Sequence, residues 1–289
     1  MRIAVSGHSG FIGTALVALL ESEGHHVIGC SRATGCDVTD FDSFLRACRS
    51  ADLLVHLAAD ARPAESLLAP ADTIETNVRG AINAGLVVRE LQIPLIYCSS
   101  CEIYGDSLSP LTETSPLNPT NPYSASKLAA DRLLYAFHRA YGIELRIGRL
   151  FNPYGPNQQL NKVIPTFFHL ARQNLPITVY GDGEDFRDYL YVADAVRGLW
   201  KLKDAPSGTT VNLATGRRTT TNQLASVIVD RIGSRSEIQH VPYPTPYGGI
   251  RFQQGNPDLA RAVLNWHAET QLEEGLDLTF HWLEQNRES

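Results

Sequence analysis

Arg2-Ile3-Ala4-Val5-Ser6-Gly7-His8-Ser9-Gly10-Phe11-Ile12-Gly13 sets the architecture of this 289-residue chain. A short apolar run meets three glycines spaced G-x-x-G-x-x-G, and a helical pattern follows, with Ile12, Leu16, Leu19 and Leu20 on one side. Glycines between a strand and a helix permit a tight turn, close backbone approach to a pyrophosphate, and close helix–strand packing. The helix N-terminus adds free N–H groups and partial positive charge for an anion. The spacing differs from G-x-G-x-x-G, so the reading rests on the strand before it and the helix after it. Gly7, Ser9, Gly10, Phe11, Ile12 and Gly13 are therefore expected to form a dinucleotide-binding loop.

The second strand, residues 26–30, ends in Ser31 and Arg32. NAD sites tend to place an acid about 20 residues after the glycines, bonded to the ribose 2′-hydroxyl. A carboxylate there would repel a 2′-phosphate, whereas serine and arginine donate to one. NADP is the expected cofactor, with NAD the alternative if Arg32 is a solvated loop residue. Asp37 and Val38 are placed at the adenine edge.

Outward from this unit, apolar runs alternate with helical stretches. Strands are expected at 2–6, 26–30, 53–57, 95–99 and 145–150, and helices at 11–23, 73–90 and 122–141. That alternation signals βαβ units and a parallel sheet. After Asn152 the texture turns mixed and rich in Pro and Gly, with loops expected at 153–161, 180–186 and 242–249. The expected fold is α/β: a Rossmann-type doubly wound parallel sheet with a smaller C-terminal α+β substrate-binding domain. Residues 1–155 form the first and 156–289 mainly the second, part of it packing back.

Tyr123 and Lys127 lie in Tyr123-Ser124-Ala125-Ser126-Lys127, one helical turn apart and so on one face. A free tyrosine, with a pKa of about 10, is a poor base at neutral pH. A cation beside it favours the phenolate, so Lys127 is expected to lower the Tyr123 pKa. Ser99-Ser100 stands just upstream. Leu128, Leu134 and Phe137 form a stripe on the same helix, for core packing or a dimer contact. His56 sits in an apolar strand and reads as a core residue. His25-His26 reads as a turn, and no metal site is expected. The five cysteines (Cys30, Cys36, Cys48, Cys98, Cys101) do not suggest a disulfide framework. Cys98 and Cys101 spell Cys-x-x-Cys without a second pair, and read as buried apolar residues at a strand end.

Hydrophobic residues make up 43% and charged residues 19%, which describes a globular chain with a substantial core. A net charge of -6 gives nucleic acid and anionic membrane no support as partners. The apolar runs are too short to span a bilayer and no signal peptide is visible, so the cytoplasm is the expected location.

Together these residues resemble the extended short-chain dehydrogenase/reductase family, the NAD(P)-dependent nucleotide-sugar epimerases, dehydratases and reductases. The matches are the glycine loop, Val55-His56-Leu57-Ala58-Ala59, Asn77-Val78-Arg79-Gly80, Ser99-Ser100-Cys101-Glu102-Ile103-Tyr104-Gly105 and the Tyr123/Lys127 pair. They continue through Arg149-Leu150-Phe151-Asn152-Pro153-Tyr154-Gly155-Pro156, Arg187-Asp188-Tyr189-Leu190-Tyr191-Val192 and Leu264-Asn265-Trp266. The resemblance implies that Tyr123 is the catalytic acid/base and that Lys127 holds the nicotinamide ribose. It implies that Ser100 bonds the reacting sugar oxygen, with Ser99 in support. Leu57, Ala58, Ala59 and Asn77 are carried over as cofactor contacts. Asn152 and Arg187 are carried over as contacts to the substrate's diphosphate or nucleotide, with Arg251 a second arginine or a solubilising one. A homodimer through a helical bundle is also implied.

Glu102 matches a glutamate that does acid/base work in 4,6-dehydratases and nucleotide-sugar decarboxylases, and that some 4-keto-sugar reductases share. Cys101 stands where dTDP-glucose-type dehydratases have an aspartate. With Ser31 and Arg32, the leading expectation is an NADP(H)-dependent 4-keto-sugar reductase acting on a nucleotide sugar. A 4-epimerase or 4,6-dehydratase is the alternative, and a non-catalytic dinucleotide sensor the third.

Overall fold

A computed structural model describes residues 1–244 and 249–286. The chain begins with β1 (Arg2–Ser6), α1 (Phe11–Ser22), β2 (His26–Cys30), α2 (Phe41–Cys48) and β3 (Leu53–His56). Two short helices follow, α3 (Pro63–Ser66) and α4 (Pro70–Ile74), each with proline in its first turn, where the missing N–H costs nothing. A π-helical stretch, Glu75–Arg79, runs into α5 (Gly80–Leu91). Then come β4 (Leu95–Ser100), α6 (Pro122–Tyr141) and β5 (Leu145–Leu150).

The second half holds β6 (Pro153–Tyr154), α7 (Val163–Arg172), β7 (Ile177–Tyr180), β8 (Phe186–Arg187), β9 (Leu190–Tyr191) and α8 (Val192–Lys201). It ends with β10 (Thr210–Leu213), β11 (Thr219–Thr220), α9 (Thr221–Ile232), β12 (Ile238–Val241), α10 (Asp258–Leu264) and α11 (Leu272–Gln285).

The main sheet has six strands in the order β10-β5-β4-β3-β1-β2, all paired in parallel. Its inner strands are largely buried on both faces, as parallel sheets require: all six residues of β5 are buried. From β1 the chain goes to β2 on one side, then crosses back to β3 on the other. That reversal opens a crevice at the carboxyl ends of β1 and β3, where doubly wound sheets bind ligands. One face carries Leu16 and Leu20 of α1 against Leu199 and Trp200 of α8. The other carries Phe44, Val87, Val88 and Leu134. A further core cluster gathers Phe167, Phe168, Leu224, Ile228 and Phe280 from the second half of the chain.

The structure is the Rossmann-type doubly wound sheet expected. β1, β2, β5 and α6 have the expected limits, while β3 and β4 differ by one residue. Two features differ. The sixth strand, β10, comes from the Pro- and Gly-rich half and pairs with β5. The helix expected at 73–90 is interrupted at 75–79 by a π turn. There Asn77 turns inward, accepting from Asp60 N at 2.7 Å and donating to Ser126 Oγ at 2.8 Å.

Candidate active site

A cleft of about 1610 Å³ runs along the carboxyl ends of β1 to β5. The glycine loop, Ser31, Arg32, Asp37, Val38, Leu57, Ala58 and Ala59 line one part. Ser100, Glu102, Tyr123, Lys127, Asn152 and Arg187 line the rest. Two of the expected residues do not line it. Asn77 is spent on the loop after β3 and on α6. Arg251 donates to Asp185 at 2.7 Å and stacks on Tyr243 and Phe252.

The glycine loop fits a dinucleotide. Gly7 has φ +74°, and a Cβ there would lie 2.9 Å from Ala58 N. A Cβ on Gly13 would lie 2.1 Å from Gly7 O, so α1 packs directly on the turn. At Gly10 a Cβ would meet nothing closer than Gly7 O at 3.3 Å, so this face stays open to the cleft. An anion there would meet the N-terminus of α1.

At the end of β2 the buried Ser31 hydroxyl has no hydrogen-bond partner among the described residues, a donor left over for a ligand. Arg32 lines the cleft next to it and helps hold the Asp37 carboxyl below its usual range, after the larger effect of hydrogen bonds from Thr39. Cys30 and Cys36 are disulfide-bonded, with Cα atoms 5.2 Å apart. One disulfide is thus present where the cysteines suggested no disulfide framework, and the turn between Cys30 and Cys36 folds back through Cys36 N donating to Ser31 O at 2.9 Å. Cys98 and Cys101 are free, and Cys101 is buried with its thiol pushed up to about 12 by burial.

α6 presents the tyrosine and lysine. Asn121 caps it by accepting from Ser124 N at 2.8 Å, Pro122 opens its first turn, and Gly142 at φ +70° ends it. Tyr123 N donates to Ser66 Oγ at 3.1 Å, which ties α3 to the start of the helix. The Tyr123 side chain is buried. Burial first and the Glu102 charge second raise its pKa well above the ordinary range, opposed by a hydrogen bond from Ser100.

The expected effect of Lys127 on the phenol is not among these causes. The ammonium donates instead to Cys98 O at 2.7 Å and lies 4.5 Å from the centre of the Tyr97 ring. Burial lowers its own pKa.

Ser100 caps the 3₁₀ turn Cys101–Tyr104 by accepting from Glu102 N at 3.2 Å. Ser99 Oγ is buried without a partner among the described residues. Glu102 accepts from Asn121 Nδ2 at 3.3 Å. Burial raises its pKa, against that hydrogen bond and the charges of Arg187 and Lys162. His56 is the core residue expected, bonded to Ser6 Oγ at 2.7 Å and held down to about 3 by burial and by Lys127.

Asn152 adopts a positive φ of 21° and lies 3.9 Å from Cys101 Sγ. Arg187 is clasped by its own chain, donating to Arg251 O at 2.6 Å and to Ile250 O. Lys162, at the start of α7, lines the cleft and was not anticipated. Its one local signal is a cation just before an amphipathic helix. Gln253 was also missed: it is buried, and donates to Cys101 O and Gly105 O at 2.9 and 3.1 Å. Of the expected loop 242–249, residues 245–248 lie outside the described residues. Among the described residues no helix is long and apolar enough to cross a membrane.

Comparison with known proteins agrees with this geometry. Residues 3–214 match the NAD dependent epimerase/dehydratase family. The chain is 30% identical over 311 residues to UDP-glucuronic acid decarboxylase 1 of Xenopus tropicalis, covering 99% of this chain and 73% of that protein. A UDP-glucose 4-epimerase from Thermotoga maritima, solved with UDP-glucose, superposes with a TM-score of 0.94 at 28% identity and 100% coverage of both chains. A dTDP-glucose 4,6-dehydratase from Streptomyces venezuelae, solved with NAD, gives a TM-score of 0.91 at 27% identity, covering 99% and 98%. These relatives carry out three different reactions on one framework. The chain belongs to the NAD dependent epimerase/dehydratase family and is an NAD(P)-dependent enzyme of the short-chain dehydrogenase/reductase type.

Proposed function

We propose that this enzyme exchanges hydride at C4 of a nucleotide-activated hexose, as an NADP(H)-dependent 4-keto-sugar reductase. The observation that carries the reading is one cleft lined both by Ser31 and Arg32 and by Ser100, Tyr123 and Lys127. Bound nicotinamide would supply the hydride chemistry. In this reading residues 1–155 hold the dinucleotide and 156–289 mainly the sugar nucleotide, in a homodimer.

Tyr123 gives its proton to the C4 oxygen as that carbon is reduced. A phenol is protonated at neutral pH and so has the proton to give, and burial with the Glu102 charge keeps Tyr123 in that form. Ser100 fixes the same oxygen. Lys127 holds the nicotinamide ribose, and its donor to Cys98 O anchors the ammonium at the strand end. Asn152 and Arg187 take the diphosphate, Arg187 exchanging backbone carbonyls for phosphate oxygens, which its planar fork suits.

A second reading is favoured by Glu102. A partly buried carboxyl with a raised pKa, electrostatically coupled to the reacting phenol, fits proton transfer at C5 or C6 after C4 is oxidised, as a dehydratase or decarboxylase requires. Incubation with a panel of nucleotide sugars and their 4-keto forms, with NADPH and with NAD, separates the two. Stoichiometric NADPH oxidation by a 4-keto-sugar nucleotide supports the reductase. Turnover without net cofactor change, with loss of water or carbon dioxide, supports the second reading and overturns the first.

A further inference from the structure

β2 is the edge strand of the sheet, paired only with β1. Among the described residues no strand lies beyond it to support the turn that carries Ser31 and Arg32. That turn is held by its own hydrogen bonds, Ser31 N donating to Thr34 Oγ1 at 3.0 Å and Cys36 N to Ser31 O at 2.9 Å, and is also closed covalently, Cys30 at the strand's last residue being bonded to Cys36. The ring contains Ser31, Arg32, Ala33, Thr34 and Gly35, with Gly35 left-handed at φ +74°. Cys30, Ser31, Arg32, Ala33, Cys36 and Asp37 line the same end of the cleft. The ring also touches the glycine loop, through Gly7 N donating to Cys30 O at 2.9 Å.

We propose that the Cys30–Cys36 disulfide is a specificity device, holding Ser31 and Arg32 in place for the 2′-phosphate of the dinucleotide so that NADP affinity depends on thiol redox state. The inference rests on the NADP reading above. Pre-organising a binding loop raises affinity by cutting the ordering cost at the moment of binding. Closure takes two electrons and two protons from the Cys30 and Cys36 thiols. They pass to a small-molecule disulfide of the glutathione class, which leaves as two thiols. A dithiol reverses this, breaking the Cys30–Cys36 bond as it closes its own. Linkage then works in both directions: bound NADP favours the disulfide by the same factor as the disulfide favours NADP.

The test uses the full-length enzyme, equilibrated with oxidised glutathione or with dithiothreitol, its Cys30 and Cys36 state read by mass after thiol alkylation. Dissociation constants for NADP and NAD are then measured in both states. The expected result is NADP binding about ten-fold tighter to the oxidised form, with a smaller change for NAD. The Cys36→Ser variant should behave as the reduced form under both conditions, which excludes Cys98 and Cys101 as the source. The wild-type comparison stands if that variant does not fold. Equal NADP affinity in two verified redox states, or no disulfide under glutathione, overturns the proposal and leaves the NADP reading intact. An oxidised enzyme that prefers NAD overturns both.

Discussion

Lys127 Nζ donates to the carbonyl oxygen of Cys98 at 2.7 Å, joining α6 to the end of β4, where Ser100 begins the 3₁₀ turn. The side chain is buried, and the ammonium lies 4.5 Å from the centre of the Tyr97 ring. The lysine is thus a strut between the helix that carries the phenol and the strand that carries the serine.

Replacing Lys127 with methionine keeps the aliphatic stem and removes a buried charge. Turnover should fall by about 10²-fold or more, with dinucleotide affinity also reduced. Thermal stability should change little, because the charge is costly to bury. Steady-state kinetics and a melting curve check both.

Glu102→Gln removes the charge that, after burial, raises the Tyr123 pKa. In the direction that oxidises the sugar, the phenolate is the active form, so the pH–rate midpoint should move to lower pH. Stability has its own sign. The folded Glu102 pKa is raised above the unfolded one, so ionisation of this residue opposes folding above the folded pKa, and the penalty fades as pH falls toward the unfolded value. The variant should therefore be more stable at neutral pH, by about 1 kcal/mol, and no more stable in acid. Denaturation at two pH values reads this directly.

Asp131 and Arg149 form a fully buried pair, Nε to Oδ2 at 3.1 Å and a second bond at 3.2 Å. Asp131→Leu alone should cost about 3–5 kcal/mol, because Arg149 is left uncompensated. Adding Arg149→Met should recover much of the loss. Urea titrations of the single and double variants give the coupling.

Ser31→Asp with Arg32→Asn puts a carboxylate where a 2′-phosphate would lie. The ratio of NADP to NAD kcat/KM should fall by about ten-fold or more, the scale of one charged hydrogen bond. An unchanged ratio would remove the argument for NADP.

The nucleotide half was legible because its signals are local. Glycines 7, 10 and 13, the apolar runs of β1 to β5, and the Asn121-Pro122 start of α6 each act within a few residues. What was missed depends on distant pairing. β10 is a strand because β5 has an open edge, and nothing in Thr210–Leu213 announces that partner. Asn77 reads as a cofactor contact in the sequence, yet its amide is consumed by Asp60 and Ser126, 17 and 49 residues away. The Cys30–Cys36 bond was unreadable from cysteine number alone. The phenol's raised pKa follows from burial and from Glu102, whereas spacing on the helix pointed to Lys127.

Tyr123→Phe puts the proposed proton transfer to the most direct test, since it deletes one oxygen from a buried ring. Turnover of the sugar nucleotide and NADP affinity should be measured together on the folded variant. The expected result is unchanged affinity with turnover lower by about 10³-fold. Full turnover in this variant would mean that some other group moves the proton.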